Sequence, residues 1–185
     1  MADDGLGYAT LSEEAVFLGE KYTAACRACA PAVFTAVMEA LGHGDDPAAR
    51  EVCKASIGLT GGTGLMATGT CGAVAGATMA VSYSFGLDFT DIEMDMMKML
   101  SVNLAVAELC RRVEDSYGHI QCQEIQFSHW GKSFRFSNPD TLGEFVAFLD
   151  DERSGFKCNK LSGAVSGWAV ECIMKHNPGF SQRRT

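Results

Sequence analysis

The sequence has few basic residues. Its 15 Lys and Arg stand against 23 Asp and Glu, which gives a formal net charge of −8 at pH 7. Proteins that bind DNA or RNA need basic surface to displace the counterions of the phosphate backbone, so we expect no nucleic-acid partner. The same acidity is unsuited to contact with anionic lipid. The first residues lack the basic and apolar regions of a signal peptide, so we do not expect export.

Long hydrophobic runs are also missing. Residues 55–87 carry no charge, but eight of these 33 residues are glycine and eight are serine or threonine. A stretch of this kind spans a membrane poorly compared with a continuous run of Leu, Ile and Val. We therefore expect no membrane insertion. We expect instead a buried segment in which glycine lets the backbone approach a helix or a cofactor closely.

The motifs of several enzyme classes are absent. The sequence has no H-E-x-x-H, no Walker loop and no Ser/His/Asp order, so a hydrolase is not supported. Residues 62–67 imitate the G-x-G-x-x-A dinucleotide fingerprint, but the residues before them fit the end of a helix better than a strand. Cys26 and Cys29 form the only C-x-x-C, which excludes a zinc ribbon, and their helical context disfavours a thioredoxin-like site.

Helical periodicity runs through almost the whole chain and predicts an all-α fold. We expect a single-domain helical bundle over residues 11–177, with a flexible N-terminus at 1–10 and a flexible tail at 178–185. The bundle would include a Gly-rich loop at 58–70 and an irregular insertion near 127–141 with one short strand at 133–136. The Met cluster at 94, 96, 97 and 99 is interpreted as core packing. The predicted helices span about 12–25, 30–41, 47–57, 72–84, 91–117, 120 onward, 141–149 and 158–175.

The chain is rich in cysteine, with eight residues of this type. Without an export signal, so many thiols indicate a reducing compartment, and we expect a cytoplasmic protein, of the kind that an anaerobic organism would tolerate well. In that setting cysteine clusters indicate metal binding or catalysis more often than structural disulfides.

Four of the cysteines lie where a helix is predicted to begin: Cys29, Cys71, Cys122 and Cys158. A helix N-terminus carries partial positive charge and free N–H groups, so a thiol there is expected to ionise at lower pH. If these thiols converge in the fold, they predict a metal–sulfur centre or a dithiol redox centre. The glycine next to Cys71, Gly72, would place its N–H toward sulfur, and we expect Gly69, Thr70 and Gly72 to bind the cofactor.

The other cysteines and the nearby histidines carry weaker signals. Cys53, Cys110 and Cys172 lie inside or late in predicted helices, which favours small buried hydrophobic residues. Whether Cys26 or Cys53 joins the site stays open. His119 and His129 flank Cys122, but isolated histidines are more often surface or capping residues than ligands.

Together these residues resemble a known family. The features that carry the resemblance are Cys29-Ala-Pro, the run Thr70-Cys71-Gly-Ala-Val-Ala-Gly, the run Gly118-His-Ile-Gln-Cys122, and Cys158 before the last helix. They are similar to the redox-active C_GCAxxG_C_C family, small prokaryotic proteins named for four such cysteines. The resemblance spans roughly residues 15–175.

The resemblance has several implications. The relation of that family to the split-Soret cytochromes implies a helical fold, a dimer and an iron–sulfur cluster, [2Fe-2S] or [4Fe-4S], held by Cys29, Cys71, Cys122 and Cys158. The chain has no C-x-x-C-H, so we expect no covalent haem. It also carries extra sequence near 127–150, which would cover the site or bind a partner.

Three hypotheses follow for the function. The first is a redox protein with a cysteine-ligated iron–sulfur cluster, an oxidoreductase or electron carrier that acts on a partner protein or on a small thiol or sulfur substrate. The second is a metal-free dithiol–disulfide oxidoreductase. The third is a structural zinc-binding or partner-binding domain. We also expect a homodimer, formed through the close-packing face of Gly72 and Gly76 and the Met-rich surface of helix 91–117.

Overall fold

A computed structural model describes residues 6–135, 139–150 and 157–183, and this part of the chain is all α-helical, which confirms the predicted fold class. No helix within these ranges is long and apolar enough to cross a membrane. Two short 3-10 helices lie at Ile57–Leu59 and Pro178–Arg183. The α-helices are α1 Leu6–Cys26, α2 Cys29–Ala40, α3 Pro47–Ser56, α4 Gly72–Phe85, α5 Phe89–Met94, α6 Met96–Tyr117, α7 Cys122–Trp130, α8 Pro139–Asp150 and α9 Cys158–His176.

The ends of the helices follow the capping residues in the sequence. Asp46 caps α3 by accepting a hydrogen bond from the Ala48 N–H at 2.9 Å, and Pro47 occupies the first helical position. Gly86 and Gly118 end α4 and α6 with φ of 65° and 82°, a left-handed conformation that glycine adopts without strain.

The core lies between α1, α2, α4 and α9. Helix α1 packs against α2 and α9, and α2 and α9 both pack against α4. The crossing of α1 and α9 is close because small residues line it: a Cβ on Gly163 would lie 2.8 Å from the Val16 carbonyl oxygen. The centre of the bundle is filled by aliphatic side chains and by Phe34. Its largest fully buried members include Phe34, Met38, Leu41, Leu109, Ile173 and several valines.

The predicted helix at 91–117 is divided in two. Asp95 leaves the helical conformation between α5 and α6 and caps α6 by accepting from the Met97 N–H at 3.0 Å. The interpretation of the Met cluster as core is wrong, because Met94, Met96 and Met97 are 81 %, 73 % and 65 % exposed. Only the later part of α6 contributes buried residues, so its first turns leave an apolar surface open.

The close-packing face of α4 is buried against another helix of the same chain. A Cβ on Gly76 would overlap the carbonyl oxygen of Ala30 on α2. The Gly72 and Gly76 face therefore packs α4 against α2. It is not available to a second copy, which removes this part of the predicted dimer surface.

The region predicted as an irregular insertion is more helical than expected. Helix α7 extends to Trp130, residues 132–135 have no regular structure, and α8 follows from Pro139. The predicted strand at 133–136 is not seen at 133–135, and residue 136 lies outside the described residues. Trp130, Phe134 and Phe148 form an aromatic cluster, with centroids of Trp130 and Phe148 5.0 Å apart.

Both segments predicted to be flexible contain regular structure where they are described. Helix α1 begins at Leu6, and the 3-10 helix Pro178–Arg183 places Phe180 against the core, where it is only 7 % exposed. The stacking of Phe180 on His43, with ring centroids 4.1 Å apart, holds this turn in place.

Candidate functional site

The four predicted cysteines line one cavity of about 370 Å³. Cys29, Cys122 and Cys158 are the first residues of α2, α7 and α9, and Cys71 is the N-cap of α4. The N-terminal ends of four helices therefore surround this space, each with a thiol at its start. We call Cys29, Cys71, Cys122 and Cys158 the four cavity cysteines.

Pairing between two loops brings Cys71 and Cys122 together. The Cys71 N–H donates to the Ile120 carbonyl at 2.7 Å, and the Cys122 N–H donates to the Gly69 carbonyl at 3.0 Å. Thr70 and Gln121 form the antiparallel bridge between these bonds. The stretch before α4 and the stretch before α7 thus hold each other, and the two thiols follow directly from this pairing.

The loop before Cys71 contains an unusual run of left-handed backbone. Five consecutive residues, 61–65, have φ between 58° and 74°, and two of them, Thr63 and Leu65, are not glycine. Residues with side chains adopt this conformation at a cost, and runs of it are rare. The run packs against the cysteines: a Cβ on Gly62 would lie 2.9 Å from Cys122 Cβ. The strained backbone is therefore located at the site.

Burial raises the pKa of all four cavity cysteines above the ordinary thiol range. The pKa of Cys122 rises to about 11, and that of Cys71 rises well above its usual value through burial and the charges of the three other thiolates. The expectation of low-pKa thiols is therefore wrong for the metal-free protein. Hydrogen bonds from N–H groups at Gly61 and Ala73 lower the pKa, but the loss of water around the sulfur outweighs them.

Gln126 is a buried partner of Cys122 that the sequence analysis missed. It is 2 % exposed, and its Nε2 donates to Cys122 Sγ at 3.1 Å. Its Oε1 accepts the Phe134 N–H at 2.7 Å, which fixes the amide with its NH₂ group toward the sulfur. The only sequence signal is the four-residue spacing from Cys122, which places both residues on one face of α7.

The predicted cofactor-binding residues Gly69, Thr70 and Gly72 lie next to the cavity but do not line it. Gly69 and Thr70 pair with the stretch before α7, as described above. Gly72 packs directly behind a thiol, because a Cβ there would overlap Cys29 Sγ and lie 3.1 Å from the Leu59 carbonyl oxygen. The absence of a side chain at position 72 is thus what leaves room for Cys29.

The remaining candidate ligands lie away from the cavity. Cys172 donates to the Ala105 carbonyl at 3.3 Å, and Cys53 lies 3.3 Å from the Thr35 hydroxyl. His119 and His129 are exposed. Within residues 6–135, 139–150 and 157–183, no group of three or more His, Cys, Asp or Glu side chains is arranged to hold a single metal ion.

The rest of the wall combines apolar, hydroxyl and basic groups. Arg27 and Lys157 contribute the basic groups, and neither was among the residues that the sequence singled out. The apolar wall includes Leu65, Ile125, Leu142, Phe145 and Val146, and the hydroxyl groups belong to Thr23, Thr60 and Ser162. These residues come from α1, the loop at 58–70, α7, α8 and α9, so only the fold brings them together.

A family model described as "Putative redox-active protein (C_GCAxxG_C_C)" matches residues 27–172, which is most of the chain and includes the four cavity cysteines. No curated protein and no solved structure matches the chain.

Proposed function

The chain belongs to the C_GCAxxG_C_C family of redox-active proteins, and we propose that its four cavity cysteines bind an iron–sulfur cluster that performs its redox chemistry. One observation carries the proposal: four cysteines that are far apart in the sequence begin four helices around a single cavity. Four thiolates are the ligand set that proteins use for both [2Fe-2S] and [4Fe-4S] clusters.

The residues around the thiols suit such a cluster. The missing side chain at Gly72 leaves space behind Cys29, and the N–H groups of Gly61 and Ala73 face sulfur atoms. Gln126 adds a side-chain donor at Cys122. When bound, the cluster would supply an acceptor and donor of single electrons. These donors would stabilise negative charge on sulfur and so raise the reduction potential.

Protons are part of the same chemistry. Because burial keeps the four thiols neutral in the metal-free protein, each must lose its proton when it becomes a ligand. The positive charge of the iron replaces the proton as the partner of the sulfur. We therefore expect cluster assembly to release protons and to be favoured by higher pH.

The two alternative functions are less well supported. A dithiol–disulfide oxidoreductase needs an attacking thiolate, and burial disfavours the thiolate at all four positions. A structural zinc ion needs ligands about 2.3 Å away on all sides. A cluster has a larger core and takes its ligands at wider spacing, which suits thiols that surround a cavity.

Anaerobic purification followed by absorbance, iron and acid-labile sulfide analysis tests the proposal. We expect a brown protein with sulfur-to-iron charge-transfer bands and bound iron and sulfide in stoichiometric amounts. A colourless protein with one zinc ion per chain would contradict it. So would a metal-free protein in which the cavity thiols form disulfides reversibly.

The electrons would pass to a redox partner protein or to a small thiol or sulfur substrate, in a reducing, cytoplasmic setting that suits eight unpaired cysteines.

We further propose a homodimer in which a second copy covers the apolar surface of α5 and α6. This surface includes Phe89, Met94, Met97, Leu100 and Leu104, all of them between 42 % and 81 % exposed. Sedimentation of the wild type and of Leu104→Lys tests this point: the wild type should be a dimer and the variant a monomer.

A further inference from the structure

The apolar wall of the cavity that lies on α8 has no part in holding the thiols. Leu142, Phe145 and Val146 line the cavity together. Phe145 and Val146 follow Leu142 by three and four residues, which places the three side chains on one face of α8. This helix contains no cysteine, so it supplies no ligand to the sulfur centre. We call these three residues the α8 wall.

The cavity is open at the α8 wall and closed at the thiols. Leu142 is 41 % exposed, and Phe145 and Val146 are half-buried, whereas Cys71 and Cys122 are buried. The space therefore runs from the surface beside α8 to the thiols inside the bundle. Its volume of about 370 Å³ lies in the range of pockets that hold small molecules, roughly 300 to 1,000 Å³.

The exposure of Leu142 indicates that the α8 wall faces a ligand. A side chain that only shields the sulfur centre from water would itself be packed against the chain. Phe148 on the same helix is packed in this way, with its ring centroid 5.0 Å from that of Trp130. Leu142 instead stays in contact with water at the opening, and covering apolar surface of this kind is favourable in proportion to its area.

The polar groups of the cavity wall disfavour a charged ligand. Arg27 and Lys157 are the charged residues on the described part of the wall, and both already have partners within the chain. The hydroxyl oxygens of Thr23, Thr60 and Ser162 each expose less than 1 Å², so a molecule in the cavity does not reach them. A charged group that entered would lose its water without gaining a partner. The wall therefore selects an uncharged molecule.

We propose that the cavity binds a small uncharged thiol with an apolar body. The apolar body packs against Leu142, Phe145 and Val146, and the thiol lies toward the four cavity cysteines. The inference rests on the proposed function, in which a small thiol is one of the candidate substrates, and it selects the uncharged, apolar members of that class.

Anaerobic calorimetric titration of protein of measured iron content tests the proposal. The probe is phenylmethanethiol, which is uncharged at pH 7. The first control is 4-(mercaptomethyl)benzoate, which adds one negative charge to the same ring and thiol. The second control is 2-mercaptoethanol, which keeps the thiol and lacks the apolar body. We expect the probe to bind and both controls to bind at least about tenfold more weakly.

Two neighbouring residues of α8 provide a matched pair of variants. Val146 lies on the cavity wall, whereas Ala147 is exposed and does not line the cavity. Val146→Lys places an ammonium group on the apolar wall, so it should weaken binding of phenylmethanethiol about tenfold and strengthen binding of 4-(mercaptomethyl)benzoate about tenfold. Ala147→Lys adds the same charge to the same helix and should change both affinities by no more than about twofold.

The reversal of preference separates a changed site from a damaged fold, because a misfolded protein would lose affinity for both compounds. Leu142→Ala is a milder second variant at the exposed opening. It should weaken binding of phenylmethanethiol about threefold because apolar contact area is lost, and circular dichroism should match the wild type.

The outcomes distinguish this inference from the proposed function. Failure of a folded, iron-replete protein to bind phenylmethanethiol would overturn the thiol site alone. Equal binding of the three thiols would also overturn it, because it would show attachment through sulfur without recognition of the apolar body. The same holds if Val146→Lys and Ala147→Lys behave alike. Selective binding by a protein that never takes up iron and sulfide would support the thiol site and contradict the iron–sulfur proposal.

Discussion

The two ends of the helical bundle differ in how well their polar groups are satisfied. At the distal end, Asp46 caps α3 and accepts the Tyr83 hydroxyl at 2.6 Å, and His43 Nε2 lies 2.9 Å from the Phe180 carbonyl oxygen. Asn177 Nδ2 completes this end by donating to the Ser84 carbonyl at 2.6 Å. Each of these contacts pairs a helix end with a partner that stabilises it.

The cavity end is constructed in the opposite way. It contains a run of left-handed backbone, three hydroxyls without a hydrogen-bond partner among the described residues, and four thiols whose ionised forms are disfavoured by burial. None of these features stabilises the chain on its own. Strain and unsatisfied groups of this kind concentrate where a protein binds or reacts. The difference between the two ends therefore identifies the cavity end as the part of the fold that is shaped for function.

The largest effect is expected from filling the space behind Cys29. Gly72→Val places a side chain where even a Cβ overlaps Cys29 Sγ, so the variant should lose nearly all bound iron. Gly58→Val is the control, because a Cβ there meets nothing within 4 Å and its backbone is not left-handed. Iron analysis with circular dichroism measures both. A well-folded Gly72→Val protein with normal iron and normal potential would contradict the placement of the site.

The stability of the metal-free protein should fall as pH rises above about 9. Burial raises the pKa of Cys122 from 9.0 to about 11, so the folded state holds this proton over a range in which the unfolded state releases it. The raised pKa of Cys122 contributes about 3 kcal/mol to the free energy of unfolding. This stabilisation is complete below pH 9 and is lost between pH 9 and 11. Urea unfolding of metal-free protein at pH 7 to 11 measures it. A flat profile would mean that the thiols are not buried.

The amide of Gln126 links the cavity end to the aromatic cluster. Gln126→Met removes the donor to Cys122 Sγ and leaves the Phe134 N–H without its acceptor. We expect a loss of about 2 kcal/mol in the free energy of unfolding. The reduction potential should also fall, because a donor to sulfur is lost. Redox titration is the decisive readout, since a purely structural Gln126 would leave the potential of the folded variant unchanged.

A substitution at the distal end should change the stability of the protein but not its iron content or reduction potential. Tyr83→Phe removes the hydroxyl that donates to Asp46, which should cost about 1 kcal/mol. It should also raise the pKa of the Asp46 carboxyl, which the Tyr83 hydrogen bond holds below its usual value. Iron content and reduction potential are expected to match the wild type. A change in either would mean that the two ends are coupled.

The sequence predicted the parts of the structure that depend on neighbouring residues. The predicted helix boundaries at 47, 84 and 117 agree with the structure to within one residue, because capping by Asp46, Gly86 and Gly118 is local. The position of the four cavity cysteines at the starts of helices could be predicted for the same reason. The thiol pKa was predicted in the wrong direction, because burial depends on what packs over the sulfur.

The missed features depend on contacts between distant segments. Gln126 acquires its role only when Phe134 folds back to it, and the hydroxyls of Thr23 and Ser162 share a cavity only after α1 and α9 pack. No local pattern in the sequence encodes these arrangements.

The iron and sulfide content of single serine variants tests the central claim most directly. Substitution of any of the four cavity cysteines removes a proposed ligand and should remove most of the iron from a folded protein. Substitution of Cys110 or Cys172, which lie outside the cavity, should leave the content normal. Equal iron loss in all six variants, or normal iron after loss of a cavity cysteine, would contradict the account.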